Sequence, residues 1–478
     1  AGDIRAILGD GPAILEHHSD YLPPEGAEAL ERYEWATERW DAPLILTTAV
    51  QFLNTLFLGK NAAARRMASL ARSVILLDEV QAMPVKLTYL VNVALNFLAG
   101  ACGCTVVLCT ATQPALEEVA APLRLAPACQ LTPDVEGLFT QLRRTRLVDL
   151  TVQPPFRREE LAGFLLEQLA QKGSVLAVLN TKSAVRRLYQ TVLERQGEQP
   201  AQVYHLTTSL CAAHRRYLLD AIRTALAEGR PVLCISTQLM EAGVDLSFGC
   251  AVRALAGLDS ASQTAGRCNR HGEADCRQVY LVRVEDERLE RLPDIEKGQL
   301  ATLDVLDEYP DDLLSPAALR QYYRRYFYEQ ARRDALGYKV RKYARPDIYQ
   351  PTSLYELLSD NPLGSARLAR PGLRQAFATA GSLMRVIDQP GVDVVTPYGE
   401  GKALGEALLA DPDLAQLPGL LRSIQRYTVH LYDHERKRLE ELGALIPTPC
   451  GVLLLQEGYY DDHLGVVLER MEMPFYLM

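Results

Sequence analysis

Short apolar runs that end in polar residues recur through the first half of the chain. The clearest runs lie at residues 74–77, 105–109, 174–179 and 231–235. Their length and aliphatic composition predict parallel strands that are buried on both faces. Stretches with helical periodicity, such as residues 87–99 and 157–171, alternate with them. This alternation predicts an α/β fold with parallel sheets and crossover helices.

The polar residues follow the strands at their carboxyl ends, where ligands bind in open α/β sheets. Asp78 and Glu79 come directly after the run at residues 74–77. One carboxylate can hold a magnesium ion while its neighbour orients or deprotonates a water molecule, so the pair suits nucleotide hydrolysis. An ordinary acidic turn at a strand end explains the same two residues without chemistry.

Hydroxyl and amide side chains follow other strands. Thr47, Thr48 and Gln51 come after an apolar run at residues 43–46. Such groups can bond phosphate oxygens without reading bases, and a threonine at this position can equally cap a helix. The neighbouring His17 and His18 could contribute to a metal site with Asp20, although a surface or capping cluster explains them as well.

Two arginines, Arg267 and Arg270, lie three residues apart in the segment Q-T-A-G-R-C-N-R. On one helix turn they would face the same way. Arginine donors so placed can neutralise charge on a phosphoryl group during transfer. The segment therefore supplies a candidate for the cationic side of a nucleotide site.

The length of 478 residues is enough for about three domains, and the composition, with 48% hydrophobic and 23% charged residues, is that of a globular protein. A net charge of -9 excludes a uniformly basic coat for nucleic acid. The region 320–345, which includes Arg324 and Arg325, instead combines basic residues with tyrosines. Basic side chains can follow a phosphate backbone while aromatic rings stack on bases. The alternative is an amphipathic linker helix with packed tyrosines and solvated arginines.

The ten cysteines contain no C-x-x-C pair, so no zinc site is expected from them. Most of them, including Cys109 and Cys234, lie in apolar runs, which predicts buried, reduced thiols in an intracellular protein. No apolar stretch approaches the length of a membrane-spanning helix, so no membrane association is expected. The absence of a signal peptide agrees with that expectation.

Six ordered segments resemble the motifs of superfamily-two helicases: T-T-A-V-Q, D-E-V-Q, T-A-T, N-T-K, S-T-Q-L-M-E-A-G-V-D and Q-T-A-G-R-C-N-R. A narrower set of segments is similar to the type I CRISPR-associated helicase-nucleases, the "Cas-three" family. These segments are L-E-H-H-S-D, L-L-D-E-V-Q-A-M-P, L-C-T-A-T-Q-P-A-L and G-R-C-N-R-H-G. Gln81 replaces the histidine of the family's D-E-V-H variant. The resemblance is clear from about residue 15 to residue 284.

The resemblance implies a role for each motif residue. Asp78 would hold the magnesium ion of ATP, and Glu79 would activate the attacking water. Gln263, Gly243 and Asp245 would contact the nucleotide together with the catalytic Arg267 and Arg270. Thr110 and Thr112 would couple hydrolysis to DNA. The implied contacts to single-stranded DNA are Thr47, Thr48, Gln51, Thr181 and Thr237, and the basic segment adds Arg324 and Arg325.

Two features of the family are missing from the sequence. No G-x-x-x-x-G-K-[ST] phosphate loop occurs, and Gly59-Lys60 is followed by Asn61. The amino-terminal nuclease of the histidine-aspartate type is also missing, and with it the transition-metal site of the family. The chain is therefore expected to be a carboxy-terminal portion or a split subunit that does not hydrolyse ATP alone.

The predicted architecture is α/β: two RecA-like parallel-sheet domains at residues 1–150 (incomplete) and 151–288, a linker with a basic aromatic helix at 289–345, and a small accessory domain at 346–478. The resemblance implies a prokaryotic, cytoplasmic, ATP-dependent motor on the displaced DNA strand of an R-loop, moving 3′ to 5′. Its partners would be a guide-RNA surveillance complex and the missing amino-terminal half. The alternatives are another superfamily-two helicase in repair or RNA metabolism, and a non-enzymatic DNA-binding or docking module.

Overall fold

The computed structural model describes residues 4, 6, 7, 14–18, 21, 26–59, 61–126, 129–197, 201–241, 243–310, 312–332, 335–340, 352–361, 374–386, 391–410, 412, 413 and 416–469. The chain forms two compact units that are each discontinuous in sequence. The first unit comprises Ala1–Pro133 and Tyr323–Asp388, and the second comprises Asp134–Tyr322 and Gln389–Met478.

The amino-terminal part of the first unit alternates strands and helices. Its elements are β1 (Ile14–His17), α1 (Ala27–Arg39), β2 (Leu44–Thr47), α2 (Ala49–Phe57), α3 (Asn61–Leu70), β3 (Val74–Asp78), α4 (Thr88–Gly100) and β4 (Thr105–Cys109). Strands β1 and β2 form one parallel pair, and β3 and β4 form another. The predicted strand at residues 74–77 is therefore confirmed, with a parallel partner.

The predicted burial of both faces of β3 is wrong. Ile75 and Leu77 are buried, whereas the side chains of Val74 and Leu76 are 68% and 66% exposed. Among the described strands, β3 pairs only with β4, in a two-stranded sheet. Within the described residues no second layer covers the face that carries Val74 and Leu76, so alternate side chains remain in solvent.

The second unit is built on a six-stranded parallel sheet. Its elements to residue 306 are α5 (Val135–Gln141), β5 (Thr145–Asp149), α6 (Arg158–Lys172), β6 (Ser174–Val178), α7 (Lys182–Arg195), β7 (Gln202–Leu206), α8 (Ala212–Ala227), β8 (Val232–Ser236), β9 (Cys250–Ala254), α9 (Leu258–Ala265), β10 (Arg277–Val282) and α10 (Pro293–Leu306). The strand order is β5-β10-β9-β6-β8-β7, and all neighbours are parallel. The α/β prediction is confirmed.

Helices on both sides bury the central strands of this sheet. All five residues of β8 and of β9 are buried. The main core cluster combines side chains of β6, β8 and β9 with those of α6 and α7. Because both faces are covered, these strands can be apolar without alternation, as the sequence predicts. Strand β5 joins this sheet through β10, although residues 145–149 fall within the predicted first domain.

The basic aromatic helix predicted in the linker is present as α11 (Pro316–Arg332). Its residues up to Tyr322 belong to the second unit, and those from Tyr323 belong to the first. The elements that follow in the first unit are β11 (Lys339–Val340), β12 (Thr352–Ser353), α12 (Leu354–Leu358) and α13 (Phe377–Leu383). The basic residues predicted at 341–345 lie outside the described residues.

The carboxy-terminal elements form a mixed sheet in the second unit. They are β13 (Gly391–Val395), α14 (Gly401–Leu409), α15 (Leu417–Ile424), β14 (Thr428–Tyr432), α16 (Asp433–Glu441), β15 (Leu445–Pro447), β16 (Leu453–Leu455), β17 (Tyr460–Asp461) and β18 (Gly465–Val466). The order β14-β13-β16-β15 includes one parallel pair, β13 with β16. The hydroxyl of Tyr460 accepts a hydrogen bond from the Cys211 backbone N–H at 3.2 Å. This bond attaches the carboxy-terminal elements to the start of α8.

The predicted boundaries at residues 150, 288 and 345 stay predictions about domain organisation. Among the helices in the described part of the chain, none is both long and apolar enough to cross a membrane.

Candidate functional site

The carboxylate pair lies at the end of β3, as the sequence predicts. Asp78 is the last residue of the strand, and the Glu79 backbone N–H donates to Asp78 Oδ1 at 3.0 Å. Glu79 has a φ of 52°, in the left-handed region that non-glycine residues seldom adopt. Such conformations cluster at functional sites because the surrounding structure must hold them. Asp78 is exposed to solvent, and its carboxylate oxygens are the ligands that Mg²⁺ prefers.

Gln81 and Thr110 connect Glu79 to the T-A-T segment after β4. The Gln81 side-chain amide donates to Glu79 Oε2, and the Thr110 hydroxyl donates to Gln81 Oε1. The Thr112 backbone N–H in turn donates to Thr110 Oγ1 at 3.1 Å. Motifs that lie about thirty residues apart in sequence are therefore joined by side-chain hydrogen bonds around the candidate catalytic glutamate.

The sequence places the tyrosines of α11 on a candidate nucleic-acid surface, but the structure buries several of them. Tyr322 and Tyr323 are 2% and 3% exposed, and Tyr326 is also buried. The hydroxyls of Tyr323 and Thr112 lie 3.0 Å apart. For these tyrosines, the packed-helix alternative is the one observed.

The arginines of α11 do not act as a single basic face. Arg324 is exposed, and its guanidinium makes a two-pronged contact with the Glu118 carboxylate, with Nη2 at 3.0 Å from Oε1. Both side chains line a cavity of about 260 Å³. Arg325 is half-buried. A DNA phosphate at Arg324 would have to share the guanidinium with Glu118, a cost that the sequence does not reveal.

The polar residues after β2 have structural partners. The Thr47 hydroxyl donates to the His17 carbonyl at 2.9 Å, and Thr48 Oγ1 accepts from the Gln51 backbone N–H at 3.3 Å as the N-cap of α2. The capping alternative is thus the one observed for Thr48. The side chain of Gln51 is half-exposed on the first turn of α2.

Neither His17 nor His18 belongs to a cluster of potential metal ligands among the residues that the structure describes. His17 Nδ1 accepts a hydrogen bond from the Trp40 indole N–H at 3.0 Å. Burial is the main reason why the pKa of His17 falls to about 4. No cluster of three potential metal ligands occurs among the residues that the structure describes, and Asp20 lies outside them.

In the second unit, the E-A-G-V-D segment holds one of the two candidate arginines. Gly243 has a φ of 73°, which favours glycine. Asp245 Oδ1 accepts from Arg270 Nε at 2.6 Å, and this hydrogen bond is the main reason that the pKa of Asp245 lies below its usual value. The pair is exposed, so the guanidinium of Arg270 is accessible from solvent.

Arg267 is buried and points elsewhere. Its Nη2 donates to the Glu241 carbonyl at 2.7 Å, and its Nε lies 3.1 Å from the Met240 carbonyl. Helix α9 ends at Ala265, so both arginines lie in the turns beyond it. The prediction that they face the same way on one helix turn is wrong, because the chain leaves the helix before either residue.

Of the other motif residues of the second unit, two follow the carboxyl ends of strands and one lies on a helix. Gln263 is half-buried on α9. Thr181 caps α7 by accepting from the Ala184 backbone N–H at 3.2 Å, while Thr237 is buried after β8. Thr181 is half-buried with its hydroxyl oxygen in the cap bond, and burial limits the access of a ligand to Thr237.

A buried ionic network supports these segments, and motif reasoning misses it. Arg253 is fully buried, and its Nε lies 2.8 Å from Glu241 Oε1 while Nη1 donates to Asn180 Oδ1 at 2.7 Å. Asn180 also donates to Glu287 Oε2 at 2.6 Å. Burial raises the pKa of both Glu241 and Glu287. A charged residue inside the otherwise apolar run A-V-R-A-L-A is the sequence signal that could have revealed this network.

The chain is similar to known CRISPR-associated helicases. Residues 171–273 match the family described as "CRISPR-associated nuclease/helicase Cas3, C-terminal". The CRISPR-associated nuclease/helicase Cas3 of Haloferax volcanii is 24% identical over 324 residues, which cover 51% of this chain and 35% of that protein. Its counterpart in Methanothermobacter thermautotrophicus is 24% identical over 198 residues, or 40% of this chain and 23% of that protein. The chain thus spans about a third or less of these curated relatives.

Solved structures share the fold. The crystal structure of T. fusca Cas3 with AMPPNP aligns with a TM-score of 0.60 at 16% identity, over 91% of this chain and 58% of that one. A second crystal structure, described as a CRISPR-associated protein, aligns with a TM-score of 0.56 at 18% identity, over 95% and 57% of the two chains. The resemblance to Cas3 helicases and the RecA-like α/β fold are therefore confirmed.

Proposed function

We propose that this chain is the motor portion of a type I CRISPR helicase, which uses ATP hydrolysis to move along the displaced DNA strand of an R-loop. The observation that carries the proposal is the hydrogen-bonded set of Glu79, Gln81 and Thr110 around a carboxylate pair at a strand end. The similarity to Cas3 helicases supports it. The relatives carry the names helicase and nuclease. DNA degradation would require nuclease residues in addition to those of the motor.

Each candidate residue would have its own role in hydrolysis. Asp78 would hold Mg²⁺, which screens the charge of the phosphates when it is bound. Glu79 would accept a proton from the attacking water, with its carboxylate oriented by the Gln81 amide. In the second unit, Arg270 has an accessible guanidinium that Asp245 holds in place, so it is the better candidate of the two arginines for contact with the γ-phosphate.

The remaining motif residues would keep the roles that the resemblance implies. Gln263 and Gly243 would contact the nucleotide, and Thr47, Thr48, Gln51 and Thr181 would contact the DNA backbone, although the three threonine hydroxyls also have partners within the protein. We assign Thr237, Arg324 and Arg325 further DNA contacts, of which Thr237 is buried and Arg324 is already paired with Glu118. A phosphate loop and its lysine must come from other residues, since the sequence contains no such motif.

The decisive experiment measures ATP hydrolysis by the native, full-length protein with and without single-stranded DNA. Glu79→Gln should lower the DNA-stimulated rate by at least ~100-fold while ATP still binds, because a positioned general base contributes about that much. Glu136→Gln, at an exposed position on α5, is the matched control and should leave the rate unchanged. Near-normal hydrolysis by Glu79→Gln would contradict the proposal.

A second measurement separates CRISPR interference from other helicase functions. The full-length protein should be recruited to a guide-RNA surveillance complex bound to its target, and it should not bind the same duplex without that complex. Equal binding to both would instead favour a helicase of repair or RNA metabolism.

A further inference from the structure

A half-buried ion pair joins the N-T-K segment to the carboxy-terminal elements of the second unit. Lys182 is the first residue of α7, and its Nζ lies 2.5 Å from Glu435 Oε1 on α16. The two side chains are 22% and 11% exposed. The ammonium also lies 4.9 Å from the centre of the Tyr432 ring, within the range of a cation–π contact. Lys182 is therefore held by two partners from one short stretch of the carboxy-terminal elements.

The Glu435 carboxylate has a fixed orientation. Its Oε2 accepts a hydrogen bond from the Tyr432 backbone N–H at 2.9 Å, as in the capping box of a helix. The cap bond leaves Oε1 for Lys182, so the two oxygens bind different partners. Because the start of α16 itself orients the carboxylate, the position of the Lys182 ammonium is set by the backbone of α16.

The carboxy-terminal sheet also contacts the rest of the second unit at another place. The imidazole of His214, on α8, stacks on the ring of Tyr398, with the ring centres 4.1 Å apart and an angle of 8° between the planes. The Val466 backbone N–H donates to the Ser209 carbonyl at 2.9 Å. The ion pair therefore joins elements that are already packed together elsewhere in the same unit.

Thr181, the proposed DNA contact, lies between two residues that are held in place. Asn180 before it donates its side-chain amide to Glu287 Oε2 at 2.6 Å, and Lys182 after it is bound to Glu435. Thr181 is the N-cap of α7 and uses Oγ1 as the acceptor, so its own hydroxyl proton can be donated to a phosphate oxygen. The direction of that hydroxyl depends on the first turn of α7, which begins at the paired lysine.

The charge of Lys182 makes its pairing important for this turn. Positive charges are favoured at the C-terminus of a helix, so an ammonium in the first turn opposes the helix dipole. Glu435 offsets this effect with an anion from inside the same unit. A lysine whose ammonium is bound in this way contributes to DNA binding through its position, because its charge is already neutralised within the protein.

We propose that Glu435 is a positioning residue for the contact with single-stranded DNA, because it binds Lys182 and thereby fixes the first turn of α7, which Thr181 caps. The inference rests on the proposed function. Glu435 itself does not touch the DNA in this role. The opposite role predicts the opposite result: if Glu435 masked a lysine that binds phosphate, removal of its charge would strengthen DNA binding.

The test measures the Kd of the native, full-length protein for a fluorescently labelled oligo(dT) at several salt concentrations, and its affinity for ATP. Glu435→Gln removes the charge and keeps the capping box, because glutamine also serves at this position. The Kd for the oligonucleotide should rise about fivefold, the effect of one lost hydrogen bond, while the affinity for ATP stays unchanged. Lys182→Gln should do the same, and the double variant should be no worse than either single variant, since both remove one pair.

Glu440→Gln is the matched control, because it removes the same charge from the same helix at a residue that pairs with Arg436. It should leave the Kd unchanged. Tighter binding by Glu435→Gln, with a steeper salt dependence, would overturn the inference in favour of a masked lysine. An unchanged Kd would also overturn it, and so would equal losses of DNA affinity, ATP affinity and thermal stability, which indicate a structural role alone. Failure of the wild-type protein to bind the oligonucleotide would instead overturn the proposed function, and the inference with it.

Discussion

Arg267 Nη2 donates a hydrogen bond to the backbone carbonyl oxygen of Glu241 at 2.7 Å, so a side chain of the Q-T-A-G-R-C-N-R segment is bonded to the backbone of the E-A-G-V-D segment. The Arg267 side chain is buried. Hydrogen bonds from charged donors contribute about 1.5–3 kcal/mol each, and the vacated carbonyls would be left buried. Arg267 is therefore expected to act first on the stability of the second unit.

Arg267→Ala should lower the free energy of unfolding by roughly 3 kcal/mol, because the carbonyls of Met240 and Glu241 lose a charged donor. Urea unfolding of the purified protein measures this change. Arg267→Lys should recover only part of it, because a single ammonium group lacks the two-pronged geometry of guanidinium. Wild-type stability of the alanine variant would show that these bonds contribute nothing.

Arg270→Ala should behave in the opposite way. Its exposed ion pair with Asp245 contributes at most about 1 kcal/mol, so the unfolding midpoint should hardly change. DNA-stimulated ATP hydrolysis by the full-length protein should nevertheless be abolished, because the accessible guanidinium is the proposed contact to the γ-phosphate. Arg223→Ala, which removes a similarly exposed pair with Asp220, is the control for both measurements. Retained hydrolysis would remove Arg270 from the catalytic residues.

The 478-residue chain, purified alone, should not hydrolyse ATP even when single-stranded DNA is added, because its sequence contains no phosphate loop. A coupled phosphate-release assay measures this directly. Turnover that disappears in the Glu79→Gln variant would prove that another segment of this chain binds the phosphates.

Acid should destabilise the second unit through His205. This residue is 3% exposed, and burial lowers its pKa to about 4. In the unfolded chain the histidine pKa is about 6.5, so below pH 6.5 the unfolded chain binds more protons than the folded chain. The stabilisation from neutral His205 is therefore fully present above about pH 6.5 and is lost as the pH falls towards 4. The largest loss from this residue is roughly 3 kcal/mol.

His205→Gln should therefore reduce the difference in unfolding free energy between pH 7 and pH 4.5, whatever its effect at pH 7. The exposed His434→Gln is the control and should leave that difference unchanged. An identical pH dependence in wild type and His205→Gln would show that His205 is not the responsible group.

The sequence predicts well wherever local pattern decides the structure. The strand before Asp78 and the buried strands of the six-stranded sheet follow from apolar runs of the right length. The direction of Arg267 does not, because spacing alone cannot reveal that α9 ends at Ala265. Contacts between distant segments, such as Thr112 with Tyr323, depend on tertiary packing that no single motif encodes.

The burial of tyrosines in α11 illustrates the same limit. Alternating aromatic and basic residues suit both a nucleic-acid surface and a packed helix, and only the neighbours of the helix distinguish the two. The sequence could have revealed the partners' existence for the buried Arg253, since a charge within an apolar strand requires an ionic partner. Its partners, Glu241 and Asn180, lie in segments that motif reasoning assigned to ligands instead.

The exposed apolar face of β3 predicts how the purified chain behaves in solution. Val74 and Leu76 form an exposed apolar strip on a sheet that has two strands among the described residues. An exposed apolar strip beside an unpaired strand edge promotes strand-to-strand aggregation. Light scattering of the purified chain should therefore show concentration-dependent self-association. Leu76→Lys should reduce that association, whereas the exposed Leu300→Lys on α10 should have less effect, since it lies on a helix without an open edge.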